Sequence, residues 1–197
     1  MSKPQYWLVK SEPDCFSIQH LAACPKQTTH WSGVRNYQAR NFMKAMKLGD
    51  RVLFYHSSCD PPAVAGTTVV AREAYADHTA LDTKDDHYDP KATKEKPIWE
   101  MVDLRLDKIF PQPIPIGTLR EVKELAGMEL LKTGSRLSVQ PVREREFDVV
   151  LELAECESAA QPAPKAAKKT AKKTAAPKKP KKAVPKSAAK KKAARAQ

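Results

Sequence analysis

Residues 31–50 read WSGVRNYQARNFMKAMKLGD, and the stretch changes character at Asn36. From Asn36 to Lys47 the spacing is helical: Ala39, Phe42, Met43 and Met46 fall on one face, and Tyr37, Arg40, Lys44 and Lys47 on the other. A helix is therefore predicted over 36–47, with Asn36 at its start and Gly49 at the C′ position, where a left-handed residue is favoured. Ahead of it, Trp31 stands in a polar loop beside Gly33, Arg35 and Asn36, where core packing gives little reason for an indole. An aromatic face with a guanidinium and an amide beside it is suited to a planar ligand, stacked on its face and hydrogen bonded at its edge.

Working outward, YWLVK (Tyr6 to Lys10) predicts a short strand, SEPD a turn, and Ser17 the cap of a brief helix running through Cys24. After the central helix, RVLFYHS (Arg51 to Ser57) alternates as a strand, with Val52, Phe54 and His56 on one side and Leu53, Tyr55 and Ser57 on the other. The apolar run AVAGTTVVARE predicts a strand buried on both faces, with Gly66 at a bulge or a close approach. WEMVDLRLDKIF predicts a strand with Val102, Leu104 and Leu106 inward and Asp103, Arg105 and Asp107 outward. PQPIP is expected to break the chain, TLREVKEL to open a helix through a Thr118/Glu121 capping box, and a last helix to span about 143–154. Separated strands of mixed length with interspersed helices predict an α+β domain, a curved or barrel-like sheet with helices packed outside.

Enzymatic chemistry finds little support. There is no G-x-S-x-G and no Gly-rich phosphate loop, and the chain has only six glycines. His56 beside Ser57 on a strand points to the opposite face, so it is badly placed to activate that hydroxyl. The acidic stretch DTKDDHYDP (Asp82 to Pro90) lacks the glycine and glutamate of a calcium loop and reads as a solvated loop. Cys15, Cys24, Cys59 and Cys156 form no C-x-x-C pair and read as free thiols. No catalytic residue, cofactor or metal ion is expected. Trp7, Trp31, Tyr55, Tyr88 and Trp99 supply aromatics enough for a pocket, although Trp7 and Trp99, within predicted strands, suit the core.

The charge is unevenly spread. The 197 residues carry a net +12, yet residues 158–197 hold 13 Lys, one Arg and no acid, leaving −2 on residues 1–157. The basic segment has one Val as its largest apolar side chain, so it is expected to be a disordered tail beside a single folded domain over 1–157. Its lysines, Lys168, Lys169, Lys172, Lys173, Lys178, Lys179, Lys181, Lys182, Lys190, Lys191 and Lys192, are expected phosphate contacts through counterion release, joined by Arg40, Lys44 and Lys47 of the central helix. No signal peptide or membrane span is expected, since no apolar run is long enough. The expected location is the cytoplasm or nucleoid in a bacterium and the nucleus in a eukaryote, and a monomer is favoured.

At YWLVKSEP, WSGVRNYQARNFMKAMKLGDRVLFYHS, AVAGTTVVAREAYAD, YDPKA and PIWEMVDLRL the chain closely resembles the EVE domain family, over about residues 5–153. The resemblance implies a PUA-like pseudo-barrel with flanking helices, related to the YTH readers of methylated adenine in RNA. It also implies a pocket for a flipped-out modified base, with modified cytosine in DNA favoured over RNA. The positions that match the family's motifs are Lys10, Ser11, Glu12 and Pro13; Trp31, Gly33, Val34, Arg35 and Asn36; Tyr55, His56 and Ser57; and Tyr88, Asp89 and Pro90. In this reading Trp31 is the stacking platform, Asn36, Ser11 and backbone near Val34 and His56 read the base edge, and Arg35 and Lys10 meet phosphate or a carbonyl. The expected function is thus a non-enzymatic reader of a modified nucleobase. A nucleoid-associated structural protein, bound to DNA through its tail, stands second, and an enzyme acting on modified nucleic acid third.

Overall fold

The computed structural model describes residues 3–159; the lysine-rich segment, with the phosphate contacts expected there, lies outside the described residues. Six strands form one sheet: β1 (Tyr6–Ser11), β2 (Thr28–Trp31), β3 (Arg51–His56), β4 (Ala63–Ala76), β5 (Glu100–Pro115) and β6 (Val139–Val142). Their order is β2-β5-β4-β3-β1-β6, with β1 parallel to β3 and every other pair antiparallel. The sheet is mixed and does not close, since β2 and β6 are its edges. Helices α1 (Ile18–Ala23), α2 (Tyr37–Ala45), α3 (Ile116–Glu121) and α4 (Glu144–Ala159) flank it.

Two cores lie on the two sides of the sheet. Trp7 and Val9 of β1 and Val52 and Phe54 of β3 meet Ile18 and Leu21 of α1 and Ala39 and Met43 of α2. Leu8, Leu53 and Tyr55, alternating with them, meet Phe110, Leu119, Phe147 and Val150 on the other side. Both faces of β3 are therefore buried, the second because α3 and α4 cover it. The Trp7 indole donates to the buried carboxylate of Asp50 at 2.9 Å, and Asp50 also accepts from the Lys47 and Gln5 backbone N–H groups.

Gly66 sits where the β4 register slips against β3 and β5. A Cβ there would collide with the Lys108 carbonyl and lie 2.5 Å from Ile18 Cδ1. Backbone cannot retreat from backbone within a paired ladder, so only glycine lets β5 and α1 close on β4 at this point.

Several boundaries differ from those predicted. PQPIP does not break the chain; β5 runs through it to Pro115. Past Arg105 this strand pairs with β4 alone, so the prolines' missing N–H groups leave no second neighbour unsatisfied. Thr118 caps nothing: α3 begins at Ile116 behind Pro115, without a side-chain cap. The capping box occurs instead at α1, where Ser17 Oγ accepts from the His20 N–H and the Ser17 N–H donates to His20 Nδ1. Helix α2 ends at Ala45 with the Met46 N–H bonded back to Phe42 and Met43, and Gly49 (φ 88°) shapes the following turn rather than the helix end. Helix α4 continues to Ala159, past the expected domain boundary at 157.

Candidate binding cleft

A cleft of about 550 Å³ opens where the end of β1, the start of α1, β2 and the 32–35 loop converge. Of the residues expected from sequence, Lys10, Ser11, Glu12, Trp31, Gly33, Val34 and Arg35 line it. Pro13, Asn36, Tyr55, His56, Ser57, Tyr88, Asp89 and Pro90 are not among its lining residues. Sequence reasoning missed Cys15, Phe16, Thr29, His30, Ser32, His87 and Ser138, which are. Phe16 and Thr29 carried a usable signal, since they flank segments already singled out; His87 and Ser138 come from distant loops and carried none.

The Lys-Ser-Glu-Pro bend is held by backbone bonds. The Lys10 N–H donates to Ser138, the Cys15 and Phe16 N–H groups donate to the Glu12 carbonyl, and Ser11 Oγ donates to the Phe16 carbonyl at 2.7 Å. Ser57 serves this bend from outside the cleft, its N–H and hydroxyl both donating to the Ser11 carbonyl. Glu12 accepts from Ser58 Oγ at 2.9 Å. Burial lowers the pKa of the Lys10 ammonium, and the charge of Glu129 works against that shift.

The His56 side chain is engaged within the fold: its Nε2 accepts from the Ile18 N–H at 3.1 Å and so fixes the start of α1. Burial depresses its pKa below the ordinary 6.5. A depressed imidazole contributes stability that is complete above the unfolded value and is lost as pH falls through the folded one, because protonation removes the acceptor. The melting temperature is expected to drop between about pH 7 and about pH 5, and to drop less in His56→Gln, whose amide oxygen keeps an acceptor that does not titrate.

The opposite wall is built around Asp77, whose side chain is fully buried. Its carboxylate accepts from Arg35 Nη1 (2.8 Å), the Gly33 N–H (3.0 Å), the Thr79 N–H (2.9 Å) and Thr79 Oγ1 (2.7 Å). Burial pulls its pKa up, but these hydrogen bonds, with Arg35 foremost, outweigh burial and hold it below the usual carboxylate value. Arg35 also donates from Nη2 to Thr79 Oγ1 and from Nε to the His87 carbonyl. The fork expected to meet a phosphate is thus engaged within the fold, and Arg35 positions the wall. Gly33 has φ 78°, and a Cβ there would lie 2.9 Å from the His87 ring, so glycine lets that imidazole rest on the backbone. The 82–90 segment is accordingly more than a solvated loop. Its Asp85 accepts from the His87 N–H and sits 3.0 Å from His87 Nδ1, which sets His87 at the cleft.

The remaining expected residues have structural roles. Trp31 is only 8% exposed and belongs to the core, with its ring edge-on to Phe54 (5.5 Å) and Phe16 (6.4 Å). It ends β2 rather than standing in a loop, and what reaches the cleft is the margin of a packed indole. Asn36 caps α2, its Oδ1 accepting from the Gln38 and Ala39 N–H groups. Tyr55 lies in the core on the other side of the sheet. Tyr88 is exposed, and Asp89 accepts from the Trp99 indole at 2.7 Å. Lys44 and Lys47 are paired with Glu100 (3.4 Å) and Glu73 (3.0 Å), so the basic face expected on α2 is largely neutralised. Among the described residues no group of three His, Cys, Asp or Glu could hold a metal ion, no helix is long and apolar enough to cross a membrane, and all four cysteines are free.

An open mixed sheet with flanking helices and an aromatic-walled, polar-edged cleft at the end of its parallel strand pair defines an α+β domain. The chain belongs to the EVE domain family, whose model matches residues 5–153. It is 44% identical over 169 residues to human thymocyte nuclear protein 1, spanning 77% of this chain and 75% of that protein. Among solved structures it is similar to a hypothetical protein from Leishmania major (47% identity, TM-score 0.76, covering 79% of this chain and 98% of that one). A Pseudomonas putida protein is 46% identical with TM-score 0.73, covering 76% and 99%. The human THYN1 protein, solved in complex with DNA containing 5-methylcytosine, is 44% identical with TM-score 0.73, covering 77% and 98%.

Proposed function

We propose that this protein binds nucleic acid, DNA in preference to RNA, and reads a modified nucleobase, modified cytosine first among them, without transforming it. The observation that carries this reading is the cleft itself: it is large enough to admit a nucleobase, Phe16 and the margin of Trp31 give it an aromatic wall, and Ser11, Glu12 and the 32–34 backbone edge it with polar groups. The human relative's complex with 5-methylcytosine DNA supports the same reading. Extracting a base from the stack costs roughly a few kcal/mol, which stacking and edge contacts in the cleft offset. Among the described residues the Lys10 ammonium has no ion-pair partner and is offered to a carbonyl or phosphate, whereas Arg35 is engaged with Asp77.

The test is binding of the full chain to matched oligonucleotides that differ only in the modification of one cytosine. Tighter binding to one modified form is expected. Equal binding to all would discard the reader in favour of a structural DNA-binding protein, whose affinity comes from the +14 of residues 158–197. The two contributions separate on truncation after Ala159, a cut that keeps α4 whole. Affinity is expected to fall by a similar factor for modified and unmodified oligonucleotides, leaving their ratio intact. The slope of log K against log salt is expected to flatten by about 0.9 for each duplex phosphate that the shortened chain no longer neutralises. An unchanged slope would show that the basic segment neutralises no phosphates.

A further inference from the structure

The aromatic architecture does not stop at the cleft. The Arg35 guanidinium lies 5.5 Å from the centroid of the Trp99 ring, and Tyr37 stacks on Trp99 with centroids 4.9 Å apart and planes 27° apart. The Arg40 guanidinium lies 5.0 Å from the Tyr37 ring. Trp99 is buried, but Tyr37 is 57% exposed, with one ring face toward Trp99 and the Arg40 guanidinium beside it. The contacts with Trp99 and Arg40 account for only part of the ring, and helix propensity by itself favours no large aromatic at an exposed first position.

The charge beside it is equally unspent. Tyr37, Arg40 and Lys44 share one face of α2, Lys47 follows just beyond its end, and the two lysines are neutralised by Glu100 and Glu73. Arg40 donates to the Ile98 carbonyl and to Asn41 Oδ1, and among the described residues it has no carboxylate partner. Its guanidinium is therefore held in place by neutral acceptors and keeps its full charge beside an exposed, pre-stacked ring. A rigid aromatic face next to an oriented cation is the pairing that takes an unpaired nucleobase and its phosphate.

We propose that Tyr37 and Arg40 form a second nucleic-acid subsite, which stacks the unpaired nucleotide flanking the one held in the cleft. This rests on the reading of the cleft as a base pocket, to which Arg35 and Trp99 connect it. Tyr37 supplies the stacking face and Arg40 the phosphate contact, so the subsite adds affinity for an opened strand without reading sequence or modification.

Full-length protein is titrated against oligonucleotides bearing one modified cytosine, either fully paired or with its flanking nucleotides left unpaired by a gap in the opposite strand. Unmodified counterparts are run beside them. Tyr37→Ala is expected to weaken binding to the gapped substrates by about ten-fold or more, the loss of one stacked base, with a much smaller change on paired duplex. Tyr37→Phe is expected to retain wild-type affinity, and the ratio of modified to unmodified binding to stay constant throughout. Arg40→Gln is expected to weaken binding to the gapped substrates and to lower the salt slope by about 0.7, one single-strand phosphate. Wild-type affinity of Tyr37→Ala for gapped substrate would overturn the proposal and leave the surface to a protein partner. An equal loss on paired and gapped substrates would also overturn it, by assigning Tyr37 to the support of Trp99. If wild-type protein fails to separate modified from unmodified cytosine, the cleft reading fails; a gap-specific loss in Tyr37→Ala would then still establish the stacking subsite.

Discussion

Trp31→Ala is expected to destabilise the folded domain by about 3–5 kcal/mol, the range for emptying a buried Trp site. For a domain of this size that corresponds to a melting temperature lower by roughly 10 °C. The indole is packed edge-on against Phe54 and Phe16 and shares a core with Trp7, Val9 and Met43, so truncation leaves a void among side chains already fixed by their own packing. A stacking platform in a polar loop, the expectation from sequence, would instead leave the variant folded and without selectivity. A thermal melt decides between them. An unchanged melting temperature would mean that the ring contributes to a ligand and not to the core. Trp31→Phe keeps most of the apolar volume and is expected to recover most of the stability.

Asp77→Ala is expected to have an effect of similar size, about 3–5 kcal/mol, because it strips the carboxylate from a buried ion pair and leaves Arg35 uncompensated. It also leaves the Gly33 and Thr79 N–H groups without their acceptor. Asp77→Asn does not rescue it. One carboxylate oxygen accepts from Gly33 and Arg35 and the other from the Thr79 N–H and hydroxyl, so either orientation of the amide turns an NH₂ toward donors. Denaturant melts of both variants check this, with binding measured beside them. Because Gly33 and Arg35 form one wall of the cleft, any Asp77→Asn protein that still folds is expected to lose selectivity between matched oligonucleotides as well. Stability within about 1 kcal/mol of wild type would show that the pair is dispensable.

Where the sequence was legible, the information was local. The helical spacing after Asn36 and that residue's capping amide specify α2, because both depend on residues within four positions of one another. The apolar run around Gly66 specifies a strand buried on both faces, and a lone glycine in such a run marks a close approach that proved to be the Lys108 carbonyl. The ordered motifs from Tyr6 to Leu106 were sufficient to place the chain in its family.

The tertiary structure decided what depends on a partner far along the chain. Whether Arg35 faces a phosphate or a carboxylate turned on Asp77, 42 positions later, and nothing in WSGVRN encodes that meeting. His87 reaches the cleft because Gly33 leaves room for its ring, across more than fifty residues. PQPIP could remain in a strand because β2 is too short to run beside it, a property of sheet order and not of the prolines. Trp31 became core because the bend before α1 sets Phe16 against it and β3 supplies Phe54. Periodicity records which faces a segment has, but the partner that covers each face is set by long-range packing, and that packing decides which side chains are consumed by the fold and which, like Tyr37, stay exposed.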